Sequence, residues 1–166
     1  MITLVLGGAR SGKSEVAERI AARLPAPITY LATLVPGNDP DLAARIEAHR
    51  ARRPAGWRTV EAGADLPAVL CSVPGPVLLD GLGPWVAASP GMVVDTVAFC
   101  AALTGRGADT VVVSEEVGLG VHPATEDGRH FRDALGELNQ SVAAVAGEVL
   151  FVVAGRMLRL DPPGGR

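Results

Sequence analysis

The 166-residue sequence predicts an α/β fold, a mostly parallel sheet with helices on both faces. Three observations carry this. Short uninterrupted apolar runs recur along the chain, as buried parallel strands require. Stretches with helical spacing of apolar residues separate them. And Gly7-Gly8-Ala9-Arg10-Ser11-Gly12-Lys13-Ser14 joins the first apolar run to the first amphipathic stretch.

That octapeptide has the pattern G-x-x-x-x-G-K-[ST], the phosphate-binding loop of P-loop NTPases. Glycines let the backbone curl until successive N–H groups face an anion. The helix that follows adds a field favourable to phosphate at its N-terminus. Lys13 can reach the β- and γ-phosphates, and the Ser14 hydroxyl can hold Mg²⁺. A chance glycine-rich turn would show the pattern without a strand before it and a helix after it. Lys13 is also the only lysine of the chain, every other long cation being arginine.

Taken in order, Ile2–Leu6 reads as a buried strand and Lys13–Leu24 as a helix carrying Val16, Ile20 and Leu24 on one face. Pro25 and Pro27 end it. Ile28–Ala32 is a second strand, Val35–Pro40 a loop, and Asp41–Arg52 a helix with Leu42 and Ile46 on one side and Arg45, His49 and Arg53 near another. Pro54-Ala55-Gly56 breaks that helix. Trp57–Glu61 reads as a short strand or extended loop, and Leu66–Cys71 as a short helix. Val77–Asp80 is a third buried strand. Gly81–Gly91, rich in glycine and proline, is not expected to be regular throughout. Met92–Leu103 is a helix, Thr110–Ser114 a fourth strand and Glu115–Thr125 a loop. Asp127–Ala146 is a long helix whose Phe131, Leu135, Leu138, Val142 and Val145 recur every three or four residues. Val149–Ala154 is a fifth strand, Met157–Leu160 a final edge strand, and Asp161–Arg166 a frayed tail. The pattern has no internal repeat and no linker, so residues 1–160 are expected to form one nucleotide-binding catalytic domain.

With 48% hydrophobic and 20% charged residues, the composition is that of a globular chain rather than a disordered one. A net charge of −3 argues against nucleic acid as a bulk electrostatic partner. Cys71 and Cys100 lack metal-ligand spacing and are read as reduced core residues. The apolar N-terminal run is too short for a signal peptide, and no apolar stretch reaches the roughly 18 residues of a membrane span. The cytosol is the expected location.

Ligands of open α/β sheets sit beyond the carboxyl ends of the strands. The phosphate loop, Thr33, Asp80 and Glu115-Glu116 all fall there. Asp80 ends an apolar strand, where it either helps hold Mg²⁺ or caps the following turn. The stretch from Glu47 to Glu61 is the second informative one. Arg50, Arg52, Arg53 and Arg58 offer forks that suit phosphate oxygens. A neutral His49 imidazole can attack phosphorus. Glu61 can accept the two adjacent N–H donors of a guanine edge, which adenine lacks. A solvated basic helix face followed by a core tryptophan explains the same residues without chemistry. His122 and His130 read as structural or substrate-positioning. Glu116 reads equally as a cation or hydroxyl ligand and as a solvated loop carboxylate.

Together these segments resemble the bifunctional adenosylcobinamide kinase / adenosylcobinamide-phosphate guanylyltransferase family of cobalamin synthesis. The resemblance runs from Gly7 to Gly155. It rests on the phosphate loop and Tyr30-Leu31-Ala32-Thr33, and on Ala43-Ala44-Arg45-Ile46 leading to His49. It continues through Arg53-Pro54, Trp57 and Thr59–Glu61 to Glu116-Val117-Gly118-Leu119-Gly120, Arg129-His130-Phe131-Arg132-Asp133 and Leu138-Asn139-Gln140. The loop is shared by many enzymes, whereas the other segments in this order are specific. Gly81–Gly91 departs from the family pattern, lacking its polar groups.

The resemblance implies a RecA-like P-loop fold, a homotrimer and two reactions. In one, ATP or GTP phosphorylates the aminopropanol hydroxyl of adenosylcobinamide. In the other, His49 takes GMP from GTP and passes it to the phosphorylated corrinoid, giving adenosylcobinamide-GDP. Lys13 and Mg²⁺, the latter held by Ser14 and Asp80, serve both. A guanylyltransferase with a weak or lost kinase step, a non-catalytic GTP-binding regulator and an unrelated small-molecule P-loop kinase stand as alternatives.

Overall fold

The structure is a computed structural model that describes residues 1–34 and 54–164. The helix expected over Asp41–Arg52, the loop before it, and His49, Arg50, Arg52 and Arg53 lie outside the described residues.

Strand β1 (Ile2–Gly7) leads through the glycine-rich loop into α1 (Lys13–Ala21), and then come β2 (Thr29–Ala32) and β3 (Arg58–Glu61). Next are α2 (Leu66–Ser72), β4 (Val77–Asp80), α3 (Leu82–Ala88) and a 3₁₀ turn at Pro90–Met92. The chain continues with α4 (Thr96–Gly105), β5 (Thr110–Glu115), α5 (Glu126–Val145), β6 (Glu148–Val153) and β7 (Arg156–Arg159). The seven strands form one sheet in the order β3-β2-β4-β5-β1-β6-β7. All neighbours are parallel except β6 and β7, which form an antiparallel hairpin at the edge.

Side-chain alternation sorts the strands into two apolar layers. Leu4, Leu31, Leu79 and Val112 point into one, which α2, α3, α4 and α5 cover. Val5, Tyr30, Leu78 and Val113 point into the other, where Val16, Ala17 and Ala21 of α1 meet them. On α5, Leu135, Leu138 and Val142 are fully buried, with Phe131 and Val145 packed at the ends of the stripe. Burying each such side chain contributes about 1.5–3 kcal/mol.

Several boundaries move for local reasons. Helix α1 stops at Ala21 rather than Leu24 because Arg23 and Leu24 donate to Ile20 and Ala21, tightening the last turn before Pro25. Helix α4 starts at Thr96 rather than Met92, since Asp95 caps it by accepting the Ala98 N–H at 2.8 Å. Gly81–Gly91 is more regular than its composition suggests. It holds α3 and the 3₁₀ turn, with Leu82, Trp85 and Val86 in the core and the Trp85 indole donating to the Ala64 carbonyl.

Of the two cysteines, Cys100 packs at the margin of the core, whereas Cys71 does not belong to it. Both are free thiols, Cys71 exposed and Cys100 half-buried. Leu66 and Leu70 take the inward face of α2, which turns the next residue, Cys71, outward. Burial pushes the Cys100 thiol up. Trp57 is only half-buried, its ring 6.5 Å from that of Tyr30.

Arg106 ties the chain between α4 and β5 to the end of α2. Its guanidinium donates to the carbonyls of Leu70, Val73 and Gly75 and to the Thr110 hydroxyl. Burial lowers its pKa, an effect Cys71 opposes.

Candidate active site

Order in the sheet decides which groups meet. Strand β5 lies between β1 and β4, so the neighbour of the loop strand ends in Glu115, and Asp80 is one strand further away. All three strands are parallel, which puts Gly7, Glu115 and Asp80 at the same carboxyl edge.

The loop is held by its own short contacts. Gly7 sits between β5 and β6, and a Cβ there would lie 2.5 Å from Ser11 Oγ and 2.8 Å from the Val152 carbonyl oxygen. Only glycine fits this approach. Gly12 turns into α1 with φ +91°, the left-handed region that glycine adopts without strain. Arg10 takes a left-handed φ of 56° at the exposed tip beside Ala9. The Ser11 carbonyl accepts the Gly155 N–H at 2.7 Å, which ties the loop to the β6–β7 turn.

Lys13 folds back over the loop. Its Nζ lies 3.5 Å from the Gly8 carbonyl oxygen and 3.7 Å from Glu115 Oε1, and its side chain is only 12% exposed. Glu115 Oε2 accepts the Gly83 N–H at 3.0 Å, and the Glu115 carbonyl accepts from Asn139 at 2.9 Å. Ser14 opens α1 beside Lys13. At the end of β4, the Asp80 carboxylate accepts the Tyr30 hydroxyl. Thr33, 4% exposed, donates to the carbonyls of Asp80 and Gly81. Its hydroxyl thus clamps β2 to β4.

The other predicted residues scatter. Glu61 ends β3, the edge strand, four strand spacings from β1 or about 19 Å across the sheet. Glu116 turns back on its own loop, accepting the N–H groups of Gly118 and Leu119 at 2.7 and 3.1 Å. His122 Nδ1 pairs with Arg132 at 2.7 Å, and His130 lies exposed beside Glu126. The Lys13–Glu115 pair is the contact that sequence reasoning missed. Glu115 was placed at the right edge, but its meeting with Lys13 depends on strand order.

Backbone N–H groups, one half-buried ammonium and hard oxygen donors, gathered at a strand–loop–helix junction, are groups that suit phosphate oxygens. Among the described residues, no three His, Cys, Asp or Glu side chains cluster as a self-sufficient metal site. A hydroxyl with one or two carboxylates suits Mg²⁺, which takes its remaining ligands from phosphates and water.

Fold and site therefore define a P-loop nucleotide-binding α/β protein. Comparison with a solved structure agrees on the fold. An ATPase of the type III secretion system of pathogenic bacteria aligns with a TM-score of 0.52 at 11% identity, covering 90% of this chain and 50% of that one. Residues 3–160 match the model of the cobinamide kinase / cobinamide phosphate guanyltransferase family, and the chain belongs to that enzyme family. The bifunctional adenosylcobalamin biosynthesis protein CobP of Pseudomonas aeruginosa is 40% identical, covering 93% of this chain and 94% of the relative. CobU of Salmonella typhimurium, named likewise, is 36% identical over 93% of this chain and 97% of its own length. No described helix is long and apolar enough to cross a membrane.

Proposed function

We propose that this enzyme phosphorylates the aminopropanol hydroxyl of adenosylcobinamide and then transfers GMP from GTP to the product through a guanylyl-His49 intermediate. The end product is adenosylcobinamide-GDP. Membership of the family is the observation that carries the reading.

The loop N–H groups from Gly8 to Ser14 bind the phosphate tail, and Lys13 neutralises its β- and γ-oxygens. Ser14 and Asp80 hold Mg²⁺, which when bound supplies charge neutralisation at the same oxygens. For guanylyl transfer, the His49 imidazole attacks the α-phosphorus and pyrophosphate leaves. Arg50, Arg52 and Arg53 stabilise the charge on that leaving group. Glu61, which follows the His49 segment in the chain, is where we place the guanine edge during this step. The enzyme works as a homotrimer in the cytoplasm.

A guanylyltransferase with a weakened kinase step is the second reading. The core packing of Leu82, Trp85 and Val86 in a region where the family carries polar groups favours it. One assay separates the two. Adenosylcobinamide is incubated with Mg²⁺ and γ-³²P-labelled GTP or ATP. Labelled adenosylcobinamide phosphate is the expected product, and Lys13→Ala loses it together with triphosphate affinity. Absence of product from the wild type contradicts the kinase half. Unchanged affinity in Lys13→Ala contradicts the loop assignment.

A further inference from the structure

Three carboxylates stand at or just beyond the carboxyl edge next to the loop, and their partners separate them. Asp80 accepts the Tyr30 hydroxyl and lies beyond β5. Glu116 spends both oxygens on the N–H groups of its own loop. Glu115 alone of the three faces Lys13, and its side chain is 31% exposed, so it is open to solvent.

The two oxygens of Glu115 have different partners. Oε2 is anchored on the Gly83 N–H at 3.0 Å. A Cβ at that position would stand 2.5 Å from this oxygen, so the carboxylate keeps this seat only beside a residue without one. Among the described residues, Oε1 holds only the Lys13 ammonium, at the long distance of 3.7 Å. That ammonium is the group a triphosphate claims when it binds. Binding therefore takes the cation from Oε1 and leaves the carboxylate fixed through Oε2. A freed acceptor then stands beside the seat of the γ-phosphate.

We propose that Glu115 is the proton acceptor of the phosphoryl-transfer step, held by Lys13 until a nucleoside triphosphate replaces it. The inference rests on the kinase reading above. The acceptor hydroxyl oxygen forms a bond to the γ-phosphorus. The bond from that phosphorus to the β,γ-bridging oxygen breaks, and its electron pair leaves with the nucleoside diphosphate. The hydroxyl proton passes to Glu115 Oε1 and from there to water. A second consequence concerns binding: in the empty loop Glu115 competes with the triphosphate for Lys13.

Glu115→Gln tests both consequences, because the amide keeps the shape and accepts no proton. The measurements are steady-state phosphorylation of adenosylcobinamide and calorimetric affinity for a non-hydrolysable triphosphate. We expect kcat to fall by about 10²- to 10⁴-fold, the range for removal of a general base. Triphosphate affinity should rise, since the competing charge is gone, and a variant that binds tightly is also folded. Glu115→Asp should recover part of kcat. A Glu115→Gln kcat within about threefold of wild type overturns the proposal and leaves the kinase reading standing. Loss of kcat and affinity together also overturns it, since Glu115 would then only support the loop. A wild type that makes no adenosylcobinamide phosphate overturns both readings.

Discussion

Gly7 and Gly8 are adjacent glycines of one motif, yet the structure gives them different burdens. A Cβ on Gly7 would stand 2.5 Å from Ser11 Oγ and 2.8 Å from the Val152 carbonyl oxygen, whereas one on Gly8 meets nothing within 4 Å. Ser11 can rotate away. The Val152 carbonyl cannot, because β6 is paired with β1 from Thr3 to Gly7. In Gly7→Ala the strand end must shift, and overpacking of this kind costs about 1–3 kcal/mol. For a chain of this length that lowers Tm by about 2–12 °C. The same shift displaces the N–H groups that cradle phosphate, and misplacing groups by about 1 Å can lower the rate of a catalysed step by roughly 10²-fold. Gly8→Ala should keep its Tm within about 2 °C, as expected of surface changes. Thermal denaturation of both variants, with triphosphate affinity by calorimetry, decides the matter. Equal destabilisation of the two, or a Gly7→Ala variant as stable as wild type, would refute the packing argument.

Arg106→Met removes the donors to three carbonyls around the end of α2 while keeping the apolar stem. Water can replace part of those bonds, so a loss of about 2 kcal/mol in chemical denaturation is expected, and no loss would contradict the clamp. Iodoacetamide should alkylate exposed Cys71 well before Cys100 in peptide mapping at pH 8. Burial raises the Cys100 thiol, so its thiolate, and its reactivity, appear at higher pH than for an ordinary thiol. Faster modification of Cys100 would contradict this.

The parallel sheet and its helices were legible because buried strands read as continuous apolar runs, and the phosphate loop because its chemistry is local. Glycines, Lys13 and Ser14 lie close together in the chain, so spacing alone predicts the strand–loop–helix junction that the structure has. Cys71 was misread because an apolar neighbourhood in sequence does not say which side of a short helix a residue takes. Gly81–Gly91 looked irregular from composition, yet its leucine, tryptophan and valine form the inward face of α3. The pairing of Lys13 with Glu115 was not legible at all. Sequence order runs β1, β2, β3, β4, β5, while spatial order puts β5 beside β1, and only the crossover brings these two side chains together. The clamp of Thr33 on β4 likewise depends on a neighbour 47 residues away.

The account turns on His49 as the residue that carries GMP. Wild-type protein incubated with Mg²⁺ and α-³²P-GTP should acquire acid-labile label, and adding adenosylcobinamide phosphate should discharge it into adenosylcobinamide-GDP. His49→Ala should bind GTP and take up no label. A wild type that remains unlabelled, or a His49→Ala protein labelled as strongly as wild type, would contradict the guanylyl-histidine mechanism.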